Sequence, residues 1–190
     1  MKRRVRKGFT LLELLVVVAI IAIIAGAVVS SYEGLADDSR TKMALNNMAE
    51  IRSAFQKFRQ DMLVLPKEGV IHSTNVTLPA STNASWFDDS SNFHQIFNKP
   101  VDKTISTRWD NIPGKSRAWR GPYCTGSVNA VIISGLPAAP QILDPWGKPF
   151  LYIIVTSGTP SYNAISATLQ CYGPDGILNT SDDIKLDILK

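Results

Sequence analysis

The sequence predicts an α+β fold in which a long N-terminal helix lies against a small antiparallel sheet. Three observations predict it. An apolar run extends from Phe9 to Val29 with a single charge, Glu13, inside it. Apolar residues then recur at helical spacing from Ala44 to Leu65, and the last 70 or so residues hold four β-branched and aromatic segments separated by Gly and Pro turns.

The first element is the apolar run. Its roughly 21 residues span about 30 Å as a helix, enough to cross the hydrocarbon core of a bilayer. Lys2, Arg3, Arg4, Arg6 and Lys7 precede it, and such a basic cluster stays cytoplasmic while the chain beyond the helix is translocated. A secretory signal peptide is the plainest alternative, with Ala25-Gly26-Ala27 as a weak cleavage site. That alternative leaves Glu13 without a purpose, since a carboxylate in an apolar segment is costly unless something pairs with it.

Lys7-Gly8-Phe9-Thr10-Leu11-Leu12-Glu13-Leu14 resembles the class III signal of the type IV pilin and pseudopilin superfamily at every position. The resemblance implies that a prepilin peptidase cuts between Gly8 and Phe9 and methylates the new amine of Phe9, leaving the helix on the mature protein. Glycine suits the cut because it has no side chain to obstruct the peptidase. Glu13 is then expected to neutralise the Phe9 amine of a neighbouring subunit, because paired charges escape most of the burial penalty each bears alone. The implied organisation is a cleaved leader over 1–8, a transmembrane and assembly helix over 9–30, an amphipathic continuation over 31–65 and an extracytoplasmic domain over 66–190.

Charge supports separating the leader from the rest. The chain has 20 Lys and Arg against 16 Asp and Glu, but with the five leader cations removed the balance is 15 to 16. A nucleic-acid footprint needs a basic face on the folded domain, so no nucleic-acid partner is expected.

The second element runs through Ala44, Met48, Ile51, Phe55, Phe58, Met62 and Leu65, whose alternating steps of four and three fall on one helix face. No proline interrupts Phe9 to Leu65, which permits one helix of about 55 residues. Ser30-Ser31-Tyr32-Glu33-Gly34 is its weakest helical stretch. Leu65-Pro66-Lys67-Glu68-Gly69 is expected to end it. Residues 70–121 show no sustained period and read as an irregular surface insertion with one short helix from Asn92 to Phe97. His72 and His94 within it read as ordinary surface or boundary residues, and the sequons at Asn75, Asn83 and Asn179 as chance patterns.

Strands are expected over Val128–Ser134, Phe150–Thr156, Ser161–Leu169 and Ile184–Leu189, with a hairpin turn at Ser157-Gly158-Thr159-Pro160. Such a sheet needs a cover on one side, and the apolar face of the helix supplies it. Asp144-Pro145-Trp146-Gly147-Lys148-Pro149-Phe150 resembles a stretch of type II secretion major pseudopilins, a tight turn that plants an indole against the core. The segment from Tyr172 to Ile184 is similar to the calcium loop of the same proteins. That resemblance implies a Ca2+ site with Asp175 and Asp182 as ligands, Tyr172 and Leu178 as carbonyl donors and Asp183 as a further oxygen donor. The alternative is an Asp-Gly turn with solvated acids. Cys124 and Cys171 lie in the translocated part, where an even count favours a disulfide worth up to roughly 4 kcal/mol. Two free thiols are the alternative.

No Ser/His/Asp constellation, phosphate-cradling loop or metal-type His/Cys cluster occurs, so no enzyme is expected. The resemblance implies the structural subunit of a homopolymeric filament, most like the major pseudopilin of type II secretion. Its partners would be copies of itself, the prepilin peptidase, an inner-membrane assembly platform and minor pseudopilins, with membrane lipid around the helix before assembly. Its expected location is the inner membrane, single-pass, with the C-terminal domain periplasmic. A type IV pilin of a surface fibre, favoured by the cysteine pair and the middle insertion, is one alternative. A membrane-anchored binding or enzymatic domain that borrowed the signal is the other.

Overall fold

The computed structural model describes residues 9–71, 76, 78, 84–99, 118–124, 130–132, 140–157 and 163–189, with the backbone alone at 30–34, 70, 130–132 and 163. Helix α1 runs unbroken over Leu11–Met62, including the weak stretch at 30–34. It is shared by two compact units, Met1–Arg40 and Thr41–Lys190.

In the first unit α1 is apolar all round. From Leu11 to Val29 every side chain is exposed, including Leu11, Leu12, Leu14, Leu15, Ile20, Ile23 and Ile24. This stretch is long and apolar enough to cross a membrane.

In the second unit α1 is two-sided. Ala44, Met48, Ile51, Ala54, Phe55, Phe58 and Met62 are buried on one face while Lys42, Asn46, Ala49, Gln56, Lys57 and Gln60 are exposed on the other. The helix stops at Met62, three residues short of the expected Leu65. Leu63 enters the left-handed region at φ 61° and its amide donates to the Arg59 carbonyl at 2.8 Å, closing the last turn before Pro66 is reached. Leu65 nevertheless stays in the core. The Glu68 carboxylate then accepts the Leu65 amide at 2.7 Å and the Ala164 amide at 2.9 Å, tying the helix exit to the sheet.

The main sheet has three antiparallel strands in the order β3 (Leu151–Ser157), β4 (Asn163–Cys171), β5 (Ile184–Asp187). Tyr152 pairs with Leu169 and Leu169 with Leu186, and a bulge between Val155 and Thr156 ends the regular register. The expected first strand belongs to a separate ribbon instead: β1 (Ala130–Ile132) pairs with β2 (Pro140–Ile142), a strand the sequence pattern does not announce. Proline at the head of β2 masks it, because proline is read as a break unless its strand lies at an edge. Most of the expected 157–160 turn lies outside the described residues.

Segment 84–99 corrects the expectation of a surface insertion. Helices α2 (Ala84–Asp88) and α3 (His94–Phe97) bring Trp86, Phe87, Phe93 and Ile96 into the same core as α1 and the sheet. The Phe55 ring lies 4.6 Å from Tyr152 and 6.2 Å from Phe93, so one helix residue joins strand and insertion. Burying each large side chain of this kind contributes about 1.5–3 kcal/mol, which explains why aromatic residues at irregular spacing still end up inside. His94 is half-buried edge-on to Trp86, and desolvation lowers its pKa. Asn179 lies in an exposed loop, whereas His72, Asn75, Asn83 and Trp109 lie outside the described residues.

Candidate functional site: an assembly terminus and an acidic loop

The start of α1 is built by Thr10 and Glu13. Thr10 caps the helix: its hydroxyl accepts the Glu13 amide at 3.3 Å, and Glu13 Oε2 accepts both the Thr10 amide and the Thr10 hydroxyl at 3.0 Å. This reciprocal capping box satisfies amides that no helical carbonyl reaches and sets a negative charge at the positive end of the helix dipole. Its sequence signal is the Thr-x-x-Glu spacing. Glu13 is thus locally engaged yet exposed, next to Phe9, which is 87% exposed. Gly8 and the leader lie outside the described residues.

The acidic loop follows β4. Gly173, Gly176 and Asn179 take left-handed backbone, and a Cβ on Gly173 would sit 2.6 Å from the Asp182 carbonyl oxygen, so only glycine permits this closure. Asp182 draws the loop together: its Oδ2 accepts the Asp175 amide at 3.1 Å and its Oδ1 faces the Thr180 hydroxyl at 2.6 Å. The hydroxyl, then the amide, hold the Asp182 carboxyl below its ordinary range. Asp175 Oδ1 accepts the Ile177 amide at 2.7 Å. Asp183 turns away, its Oδ2 accepting Gln170 Nε2 at 2.6 Å and the Asn179 amide at 2.7 Å while Oδ1 is buried without a hydrogen bond.

The expected ligands therefore separate. Asp175 and Asp182 meet within one loop, flanked by Tyr172 and Leu178. Asp183 links the Asn179 amide of the loop to Gln170 of β4, and among the described residues no three acids converge as a metal-holding group. Oxygen donors of the right chemistry are present for a hard cation, supplied by two carboxylates and backbone carbonyls.

The Asp144 turn supports the loop from beneath, a role that its resemblance to a core-planting turn does not reveal. Asp144 Oδ1 accepts the Trp146 amide at 3.0 Å and the Lys148 amide at 2.8 Å, and the Lys148 side chain reaches Gly176. Burial raises the Asp144 pKa, opposed by turn amides and by the amide of Tyr172. Trp146 is packed against the core, as expected of this turn.

Cys124 and Cys171 are free thiols, both buried in the apolar cluster. Desolvation pushes Cys124 up to about 11 and raises Cys171 as well, which suppresses the thiolate that disulfide exchange requires.

Two further residues carry no sequence signal. Lys67, 5% exposed, donates Nζ to the Asp89 carbonyl at 2.6 Å, lies 5.8 Å from the Tyr152 ring, and donates its own amide to Gln95. Burial lowers its pKa to about 8. Asp61, near the end of α1, accepts the Tyr123 hydroxyl at 2.9 Å and faces Arg120 at 3.6 Å, fastening segment 118–124 to the helix.

A capped apolar helix long enough to cross a membrane and an antiparallel sheet covered by its amphipathic continuation define an α+β protein. The family model for the prokaryotic N-terminal methylation motif matches residues 3–29. The chain is 26% identical over 180 residues to the type II secretion system core protein G of Escherichia coli (strain K12), covering 94% of this chain and 89% of that protein. It is 25% identical over 129 residues to the fimbrial protein EcpC of Eikenella corrodens, covering 68% and 83%. A solved structure, the major pseudopilin from the type 2 secretion system of enterohaemorrhagic Escherichia coli, aligns over 80% of this chain and 90% of that chain at 19% identity and a TM-score of 0.38. The chain thus carries the N-terminal methylation motif and is similar along most of its length to a type II secretion core protein and, over about two thirds of it, to a fimbrial protein.

Proposed function

We propose that the chain is the structural subunit of a helical pseudopilus that drives type II protein secretion. The observation that carries this reading is the apolar half of α1, capped by Thr10 and Glu13 and exposed on all sides from Leu11 to Val29. Such a helix needs lipid around it before assembly and other copies of itself afterwards. The near full-length similarity to a type II secretion core protein supports the secretion assignment.

In this reading a prepilin peptidase cuts between Gly8 and Phe9, and the Phe9 amine is methylated. The chain then waits in the inner membrane with the domain beyond α1 on the periplasmic side. An assembly platform and minor pseudopilins would receive it there. Glu13 pairs with the Phe9 amine of a neighbour, exchanging its bonds to Thr10 for an opposite charge. The role is structural, with no catalytic step. Calcium is proposed for the acidic loop through Asp175, Asp182 and the carbonyls of Tyr172 and Leu178, supported by the closure of the loop through the Asp175 amide on the Asp182 carboxylate. A surface fibre is the second reading, and the similarity to a fimbrial protein favours it.

The test is Glu13→Ala in a secretion-competent cell. The variant should be cleaved to a chain beginning at Phe9 and inserted in the membrane, yet yield almost no filament. Assembly of that variant at the wild-type level would remove Glu13 from the mechanism.

A further inference from the structure

Asp183 is buried at a cost that the sheet alone does not explain. Its side chain is 1% exposed, Oδ1 has no hydrogen-bond partner, and the half-exposed Lys185 amine stands 4.0 Å from Oδ2. A carboxylate with an orphaned oxygen is expensive to keep inside a protein. The other oxygen has two partners. Oδ2 accepts Gln170 Nε2 at 2.6 Å, which fixes it to a buried residue of β4, and it accepts the Asn179 amide at 2.7 Å, which reaches into the acidic loop.

The Asn179 amide belongs to the same peptide group as the Leu178 carbonyl. In a planar trans peptide the N–H and the C=O point to opposite sides, so a carboxylate that holds the Asn179 N–H aims the Leu178 oxygen away from itself. The same bond polarises the peptide and makes that oxygen a better donor to a cation. Neighbouring carbonyls are used within the loop: the Thr180 hydroxyl donates to the Ile177 carbonyl at 3.0 Å and the Gly176 amide to the Gly173 carbonyl at 3.4 Å. Among the described residues no hydrogen bond engages the Leu178 carbonyl. The lysines beside the loop leave its acids open as well. Lys185 lies against Asp183 and Lys148 packs its stem on Gly176, and among the described residues neither forms an ion pair with Asp175 or Asp182.

We propose that Asp183 is a positioning residue of the calcium loop, orienting the Leu178 carbonyl toward the ion through the Asn179 amide while Gln170 holds Asp183 in place. It is not a ligand itself. The role rests on the calcium reading of the loop and adds to it an outer contact of the kind that fixes a metal's ligands.

The test is the calcium affinity of the full-length chain in detergent, with melting in chelator as the control for folding. Asp183→Ala should weaken calcium binding about tenfold to a hundredfold. Asp183→Asn should recover most of that loss, because its side-chain carbonyl still accepts the Asn179 amide, and both variants lack the charge. If Asp183→Ala binds calcium like the wild type, or Asp183→Asn as weakly as Asp183→Ala, the positioning role is overturned and calcium at Asp175 and Asp182 stands. Hydrogen exchange at the Asn179 amide of the wild type decides the matter even if Asp183→Ala does not fold. That amide should stay protected when calcium is added. Its release would mean that Asp183 swings across to ligate the ion, which overturns the proposal. If the wild type binds no calcium, the calcium reading falls and the positioning role with it.

Discussion

The two halves of α1 obey the same backbone rules and have opposite fates. Beyond Thr41, a stripe from Ala44 to Met62 is buried by the sheet and by α2 and α3, and the other face is polar. Before Val29 there is no polar face apart from the cap, and every side chain is exposed. The difference shows where each half finds its partner. The outer half carries its cover within its own chain. Among the described residues nothing covers the inner half, and an apolar helix of this length is stable where lipid or other apolar helices surround it.

The comparison breaks most completely at Gly8. Gly8→Leu should leave the leader attached and abolish filaments while the globular unit folds normally. N-terminal sequencing checks the first outcome and melting of the domain the second. A processed Gly8→Leu chain would contradict the assigned cut.

On the other half, Phe55→Ala should cost about 3–5 kcal/mol, since it empties a site that joins Tyr152 and Phe93. Chemical denaturation of the domain reads this. Val17→Ala, in the apolar half, should leave the same transition unmoved. If the two variants destabilised the domain equally, the division of labour would be wrong.

Calcium sharpens the picture of the acidic loop. If the folded loop alone binds it, calcium at one hundred times its Kd stabilises the domain by about 2.7 kcal/mol. Asp175→Ala and Asp182→Ala should melt like the chelated wild type and ignore the ion. Identical melting with calcium and with chelator would leave a turn closed by its own hydrogen bonds.

Lys67 gives an effect confined to alkaline pH. Its pKa is about 8 in the fold, below its ordinary 10.5, so between those values the unfolded chain binds more protons. The penalty for charging it is therefore full below pH 8 and fades as pH rises toward 10.5. Relative to Lys67→Met, the wild type should gain stability across that window, against the opposing titration of the buried thiols. A difference between the two proteins that stays flat from pH 8 to 10.5 would show that Lys67 is not buried as described.

The long helix, its amphipathic half and four of the five described strands were legible because each is local: periodicity and β-rich runs need only nearby residues, whereas the Thr10–Glu13 cap, equally local, was not expected from the sequence. Asp175 and Asp182 were singled out as a pair only by the resemblance of their segment to a calcium loop, and the structure places them in one loop. Other features were not local. Trp86 and Phe93 sit in an aperiodic segment, and only the long-range packing of α2 and α3 on Phe55 makes them core.

What the sequence by itself determined is the chain's division into an apolar helix with a placed carboxylate and a helix-covered sheet, because hydrophobic period and charge position are one-dimensional facts. The tertiary structure decided which polar groups were used. It sent Asp183 to Gln170 and buried Cys124 and Cys171 as thiols. It also placed Lys67 inside and aimed α1's lysines outward. Each depends on which distant residues arrive at the same place, and desolvation there sets the energy of a charge far more than the residue's type does.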